Sequence, residues 1–249
     1  MSPVHSLRPR RKLFGLLAVV TASGITAATV FVMSNQASAV KAPAGTACAA
    51  VHVITARAST ERPGEGITSA MVSRIVSTSK QTVSRASVDY PATLADYARS
   101  SGQGITALTA QLTTQVQKCP DQKIVLAGYS QGAHVVLDVL GGGGGLGLGA
   151  ATPPISAAVA SHVTAVATFG DPRHVVGQAF DVGSATKNGR FPRSAAQLKT
   201  LAGFADRIQA FCDSGDTFCD SGFSTVTHLT YMNRVKDTAA SFVVGKVGG

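Results

Sequence analysis

Three patterns that would place this chain of 249 residues in a special class are missing from it. No cluster of lysine and arginine with interleaved aromatic residues occurs, so we expect no nucleic-acid partner despite a formal net charge of +9. No segment repeats at the period of a solenoid, and no stretch has the composition of an interdomain linker. Because hydrophobic residues make up 45% of the chain, enough for a sizeable core, we predict one globular domain.

Cysteine is scarce, and its spacing is not that of a metal site. The chain has four cysteines, with no C-x-x-C spacing and no histidine beside any of them, which argues against zinc. If the protein is exported, as its first 39 residues indicate, four cysteines favour two disulfides, for which three pairings exist in principle. Cys212 and Cys219 enclose only six residues, which favours a local pair and leaves Cys48 with Cys119.

The first 39 residues have the layout of a targeting segment. Four cationic residues precede a charge-free run from Leu13 to Met33, and Ala37-Ser38-Ala39 follows it. This order is typical of a secretory signal with an A-x-A cleavage site. An uncleaved membrane anchor is the alternative, because a spanning helix needs about 20 residues. We predict a leader at 1–39, a folded domain at 40–249, and a secreted protein, or one held at the cell envelope if the leader is retained.

Short apolar runs alternate with segments of helical periodicity along the rest of the chain. Extended segments are predicted at 51–55, 86–92, 123–128, 162–170 and 207–212, and helices at 67–80, 104–118, 131–140 and 229–244. The strands are continuous apolar runs, as in a parallel sheet that is buried on both faces. The class is therefore α/β with a central, mainly parallel sheet. The glycine-rich run at 141–149 predicts a flexible surface loop.

The segment Gly128-Tyr129-Ser130-Gln131-Gly132 is a G-x-S-x-G pattern between a predicted strand and a predicted helix. Two glycines allow a tight turn there, which exposes the serine hydroxyl at the carboxyl end of the strand. The N–H groups of the following helix can stabilise an oxyanion beside it. This setting predicts a nucleophilic serine, whereas the alternative is a glycine-rich turn that contains a serine by chance.

A serine nucleophile needs a base, and four histidines follow Ser130 in the chain. His134 lies in the same predicted helix, where we expect a surface or half-buried side chain. His162 and His174 are expected to be ordinary loop residues. His228, the histidine after the segment CDSGDTFC, is the best candidate for the base, since such sites run in the order Ser, acid, His.

The acid has two candidates. Asp216 lies inside the expected Cys212–Cys219 loop, directly after a predicted strand, where a disulfide would hold its carboxylate against His228. Asp171, in the segment GDPR, follows another strand and is the second candidate. Position alone favours Asp216.

Three segments together resemble the cutinase family of serine esterases: CPDQKIVLAGYSQGA, ARASTE, and CDSGDTFC followed by a histidine. The resemblance covers essentially all of the chain after the leader. It implies a single-domain α/β-hydrolase-type three-layer sandwich with Ser130 as nucleophile, Asp216 as acid and His228 as base. It also implies an oxyanion hole formed by Ser59 and the backbone N–H of Gln131, and the disulfides Cys48–Cys119 and Cys212–Cys219.

The resemblance implies a hydrolase of short-chain esters that needs no metal or organic cofactor and acts as a monomer. The segment FGDPRHVVGQAFDVG, residues 169–183, is most similar to the acetylxylan esterase branch of the family. Acetylated xylan and cutin-like or short-chain lipid esters are therefore both candidate substrates. A thioesterase or long-chain lipase is an alternative within the enzyme class. A surface or lipid-binding protein without catalysis is the alternative outside it.

Overall fold

A computed structural model describes residues 48–248, so the predicted leader at 1–39 lies outside the described residues. Six parallel strands form one sheet in the order β2-β1-β3-β4-β6-β5. The strands are β1 Val51–Ala56, β2 Val83–Ser87, β3 Lys123–Tyr129, β4 Val163–Phe169, β5 Asp181–Val182 and β6 Ile208–Phe211. The helices are α1 Ser69–Thr78, α2 Tyr97–Lys118, α3 Gln131–Gly141, α4 Ala157–Ala160, α5 Ala195–Ala202, α6 Thr225–Leu229 and α7 Tyr231–Val247. The predicted α/β class is confirmed.

The sheet is buried between two layers of helices. Ile54 of β1 and Leu126 of β3 lie in the core under α2 and α3. Val53 and Val125 point to the opposite face, where α1 and α7 cover them. Because successive side chains of a strand point to opposite faces, a strand with both faces covered must be apolar throughout. This is why the sequences of the central strands are continuous apolar runs. The sheet and the two helix layers together form a three-layer sandwich.

Several elements differ from the sequence prediction. The predicted extended segment 86–92 is a strand only at 83–87, and four short elements, α4, α5, α6 and β5, were not predicted. Helix α2 begins seven residues earlier than expected, at Tyr97, with the Asp96 side chain accepting from the Arg99 N–H at its start. Its first turns bury Ser100 and Ser101, two polar residues that carry no apolar signal. A methyl group at Gly104 would come within 2.7 Å of Val135 in α3.

The glycine-rich run 141–149 is only partly the predicted surface loop. Gly141 to Gly144 are buried, and Gly143 pairs with Thr152 in an antiparallel bridge. Residues 145–147 are exposed. The prediction of a flexible surface loop was wrong for residues 141–144. These positions are closely packed, and glycine occurs there because a side chain would not fit. A methyl group at Gly143 would come within 2.7 Å of the Thr152 hydroxyl.

Both predicted disulfides are present. Cys48–Cys119 ties the start of the described chain to the end of α2, and Cys212–Cys219 closes the loop after β6. Within residues 48–248, no helix combines the length and the apolar character that crossing a membrane requires.

A buried ionic cluster joins α3 to the loops beside it, and it was not predicted. It consists of His134, Asp138, Asp171, Arg173 and Arg193. Both arginines pair with the Asp138 carboxylate, and Arg193 also pairs with Asp171. The expectation of a surface or half-buried His134 was therefore wrong: its side chain is 1% exposed and lies 3.1 Å from Asp138, one helical turn away.

The free energy of unfolding should fall in acid, because Asp138 is then protonated. Burial alone would raise the pKa of this carboxyl, but His134, Arg193 and Arg173 outweigh burial and hold the pKa at about 2. A carboxyl whose pKa is lower in the folded chain stabilises the fold above its ordinary pKa of 3.8. That contribution, about 2 kcal/mol, is lost as the pH falls from about 4 to about 2.

The measurement is the free energy of unfolding by urea at pH 6 and at pH 2, in the wild type and in Asp138→Asn. At pH 6 the variant should be less stable by about 3–5 kcal/mol, since two buried arginines lose their partner charge. At pH 2 the difference in the free energy of unfolding between wild type and variant should be smaller by about 2 kcal/mol. An equal gap at both pH values would contradict this role of Asp138.

Candidate active site

Ser130 occupies a strained turn between β3 and α3. Its backbone has φ 53° and ψ −116°, and α3 begins at the next residue, Gln131. A positive φ is uncommon for a residue other than glycine and is costly unless the surroundings enforce it. Here the Ser130 N–H donates to the carbonyl of Phe169 in β4 at 2.8 Å. The turn leaves the serine hydroxyl at the carboxyl edge of the sheet, where open α/β sheets bind their ligands.

The two glycines of the pattern are required by packing. A methyl group at Gly132 would overlap the carbonyl of Ala56 at the end of β1. One at Gly128 would come within 2.6 Å of the Gly132 carbonyl carbon. The helix can therefore start directly on top of β1 and β3 only if both positions lack a side chain. This is the physical reason for the spacing found in the sequence.

Asp216 and His228 are in direct contact, as their positions in the sequence predicted. His228 Nδ1 lies 2.9 Å from Asp216 Oδ2 and 3.1 Å from Oδ1. The carboxylate is fully buried and accepts three further hydrogen bonds. Oδ1 accepts from the N–H groups of Phe218 at 2.7 Å and Cys219 at 3.0 Å, and Oδ2 accepts from the Tyr231 hydroxyl at 2.9 Å. The Cys212–Cys219 loop thus fixes the carboxylate through its own backbone.

The surroundings keep Asp216 ionised. Burial alone would raise the pKa of this carboxyl. The hydrogen bond and charge of His228, with the N–H groups of Cys219 and Phe218, outweigh burial, so the pKa lies below its ordinary value. At neutral pH the group is a carboxylate that can hold a proton on His228 Nδ1.

Three further neighbours hold His228 in place. It lies in the short helix α6, and its carbonyl accepts a hydrogen bond from the Tyr129 hydroxyl. Gly170, at φ +61°, leaves room for the ring, because a methyl group there would come within 2.7 Å of Nδ1 and Cε1. The Phe218 ring lies with its centroid 4.5 Å from that of the imidazole. The imidazole therefore has little freedom to turn.

Ser130 and His228 line the same cleft, of about 550 Å³. Its walls are largely apolar, with Leu94, Tyr97, Phe191, Phe218 and Leu229 among the residues that form them. Within residues 48–248, no direct hydrogen bond joins the Ser130 hydroxyl to His228. Such bonds are often long before substrate binds and tighten in the complex.

Ser59 and Gln131, the residues expected to form an oxyanion hole, are in contact with each other next to Ser130. Ser59 lies in the loop after β1 and lines the cleft beside Ser130. Its hydroxyl donates to Gln131 Oε1 at 3.1 Å. The backbone N–H of Gln131 is the first of α3, so the positive end of the helix dipole faces Ser130.

The other candidates lie elsewhere. Asp171 accepts from the Arg173 N–H at 2.9 Å and pairs with Arg193, so its carboxylate belongs to the buried ionic cluster. His174 is a buried loop residue near Asp181, and His162 lies just before β4. Of the two candidate acids, only Asp216 contacts His228.

Two residues that shape the site were missed in the sequence. Tyr231 donates to Asp216, and its own oxygen accepts from the Asp213 N–H at 2.8 Å. Nothing in a tyrosine at the start of a helix indicates such a contact. Gly170, directly after a strand, is a signal that a close approach occurs there.

The chain is similar to known proteins over most of its length. The family model described as Cutinase matches residues 47–247. The chain is 32% identical over 214 residues to Acetylxylan esterase 2 of Talaromyces purpureogenus, which covers 81% of this chain and 88% of that protein. It is also 32% identical over 209 residues to Cutinase 11 of Verticillium dahliae, which covers 80% of this chain and 70% of that protein.

A solved structure shares the fold as well. The catalytic core domain of acetyl xylan esterase from Trichoderma reesei superimposes with a TM-score of 0.74 at 31% identity, covering 80% of this chain and 100% of that one. A family match over most of the chain, two relatives above 30% identity and a common fold lead to one conclusion. The chain belongs to the cutinase family of carboxylic ester hydrolases.

Proposed function

We propose that this protein is an exported serine esterase that hydrolyses short-chain carboxylic esters through Ser130, His228 and Asp216. The observation that carries the proposal is the contact between Asp216 and His228 at 2.9 Å, with His228 lining the same cleft as Ser130. A protein that only binds lipid gains nothing from a buried carboxylate held against a histidine that shares a cleft with a half-buried serine. This favours catalysis over the alternative of a binding protein on the same fold.

The proposed reaction is acyl transfer, with one role for each of the three side chains. His228 Nε2 takes the proton of the Ser130 hydroxyl as its oxygen attacks the ester carbonyl. Asp216 keeps the other ring proton on Nδ1 and stabilises the imidazolium that forms. The imidazolium then gives its proton to the leaving alkoxide, which departs as the alcohol. Water attacks the acyl-enzyme in the same way and releases the acid.

The negative charge of the tetrahedral intermediate needs donors that are already in place. The backbone N–H of Gln131 and the loop that carries Ser59 supply them in this proposal. Because α3 starts at Gln131, its dipole adds to the stabilisation.

Two classes of substrate are supported by different observations. Relatives named acetylxylan esterase, and the segment 169–183, favour acetyl groups on a polysaccharide. The cleft favours longer acyl groups, because its walls are largely apolar and Leu94 and Leu229 stand at 57% and 61% exposure along it. The acyl chain of a cutin-like polyester or a short-chain lipid ester would contact more of these apolar walls than an acetyl group would.

The enzyme should prefer esters whose acyl chain fills the cleft. In a series of p-nitrophenyl esters from two to sixteen carbons, we expect kcat/KM to peak at about four carbons. Each methylene that the cleft buries contributes about 0.8 kcal/mol, so butyrate should exceed acetate roughly tenfold. A peak at acetate would favour the acetylxylan substrate, and a peak at twelve or more a long-chain lipase. Absence of hydrolysis at every length would favour the binding protein.

Export and the monomeric state are part of the proposal. Two disulfides within residues 48–248 support an oxidising compartment. The residues of the proposed site come from a single chain, which supports a monomer.

A further inference from the structure

The loop that follows β1, residues 57–67, contains a carboxylate that the proposed reaction does not use. Glu61 Oε2 accepts a hydrogen bond from the Ala58 N–H at 2.7 Å, and Oε1 accepts one from the Ile67 N–H at 2.7 Å. The two oxygens thus hold both ends of the loop. The loop is built around this group, because a methyl group at Gly66 would overlap the carboxylate.

Three of the four backbone N–H groups of residues 58–61 already donate to acceptors within the protein. The Ala58 N–H is taken by Glu61, the Thr60 N–H donates to the Ala92 carbonyl at 2.7 Å, and the Glu61 N–H donates to the Ala58 carbonyl at 3.4 Å. Among the described residues, the Ser59 N–H has no acceptor. It is therefore the backbone donor of residues 58–61 that is left for a ligand in the cleft.

The Ser59 hydroxyl is engaged in another direction. It donates to Gln131 Oε1, and the Gln131 Nε2 group donates to the carbonyls of Thr93 and Tyr97, both at 3.3 Å. These two carbonyl acceptors fix which end of the amide faces Ser59. In the resting enzyme the backbone N–H of Ser59 is thus the better placed donor, and its position depends on the shape of the loop.

That shape is strained and has to be enforced. Thr60 has φ 68°, a conformation that is unfavourable for a β-branched residue. Arg57 anchors the loop from below: its Nε donates to the Glu61 carbonyl at 3.0 Å, and its guanidinium also donates to the carbonyls of Val88 and Tyr90. The Glu61 carboxylate closes the other side.

We propose that Glu61 is the positioning residue of the oxyanion hole. By accepting the Ala58 and Ile67 N–H groups, its carboxylate holds the turn 58–61 so that the Ser59 N–H points at the oxygen of the tetrahedral intermediate. Glu61 touches no reacting atom, and its effect is transmitted through the backbone. The inference rests on the proposed esterase function.

The test is Glu61→Gln, which keeps the size of the side chain but replaces one acceptor oxygen with an NH₂ group. One of the two N–H groups then faces another donor, and the turn should shift. Loss of a complete oxyanion donor costs about 100- to 1,000-fold in kcat, so a displaced donor should cost about 10- to 100-fold. KM for p-nitrophenyl butyrate should change less than about twofold, because the intermediate, not the bound ester, needs the donor.

Glu65→Gln is the matched control, since Glu65 lies in the same loop but pairs with Arg85 at the surface. Its kcat should stay within about twofold of the wild type. Active sites are titrated with a fluorophosphonate, so that kcat refers to folded, reactive enzyme. If Glu61→Gln does not fold, Glu61→Asp, whose shorter carboxylate cannot reach both N–H groups, is measured in the same way and should also lose kcat.

The outcomes are distinct. A selective fall in kcat for the Glu61 variant supports the inference. A kcat per titrated site within twofold of the wild type, or an equal fall in Glu65→Gln, overturns it while leaving the esterase function intact. A wild-type protein that hydrolyses no ester overturns the proposed function itself.

Discussion

Replacing Ser130 with alanine is expected to reduce ester hydrolysis by a factor on the order of 10⁵–10⁶, because no other group takes over the attack on the carbonyl. The fold should survive the change. Alanine keeps the Cβ atom in the turn at φ 53°, and the serine hydroxyl makes no hydrogen bond to any of residues 48–248. Thermal unfolding and circular dichroism should therefore match those of the wild type.

The measurement is kcat/KM for p-nitrophenyl butyrate, followed over hours to reach the low rate of the variant. Residual hydrolysis near the level expected from the oxyanion hole alone would agree with the proposal. An activity of Ser130→Ala within tenfold of the wild type would contradict it, and another nucleophile would have to be sought.

Asp216→Asn should cost a factor on the order of 10⁴ in kcat, by changing which nitrogen of His228 carries the proton. Asp216 accepts hydrogen bonds from four groups, and asparagine has a single acceptor oxygen. If its NH₂ group faces His228, Nδ1 becomes the acceptor and the proton moves to Nε2. The ring can then no longer take the proton of Ser130.

Asp213→Asn is the control for this variant. Asp213 lies in the same disulfide loop, but its carboxylate pairs with Arg234, which is 40% exposed. We expect its kcat to stay within a few-fold of the wild type. Equal losses in both variants would show that damage to the loop, and not the proton on His228, explains the effect.

The parts of the site that are local in sequence could be predicted. Ser130 was identified because a strand, two glycines and a helix follow each other within a few residues, and each glycine has a packing reason that the structure shows. Asp216 and His228 could be paired because a short disulfide confines the aspartate and the histidine follows it. Their contact, at 2.9 Å, agrees with that reasoning.

What the sequence did not reveal depends on contacts between distant segments. The sequence predicts a surface or half-buried His134 because its partners Arg173 and Arg193 are not adjacent to it in sequence, although Asp138 lies one helical turn away. The first turns of α2 were missed because their buried residues Ser100 and Ser101 are polar and give no apolar periodicity. Strand β5 has only two residues, too few to show any periodicity.

The most direct measurement of the central claim is mass spectrometry of the protein after reaction with a fluorophosphonate. Such reagents phosphonylate a serine only where a base withdraws its proton and donors hold the new oxyanion. We predict one adduct per chain, on the peptide that contains Ser130, and a labelling rate that collapses in His228→Ala. An unmodified protein, or an adduct on another serine, would contradict the account.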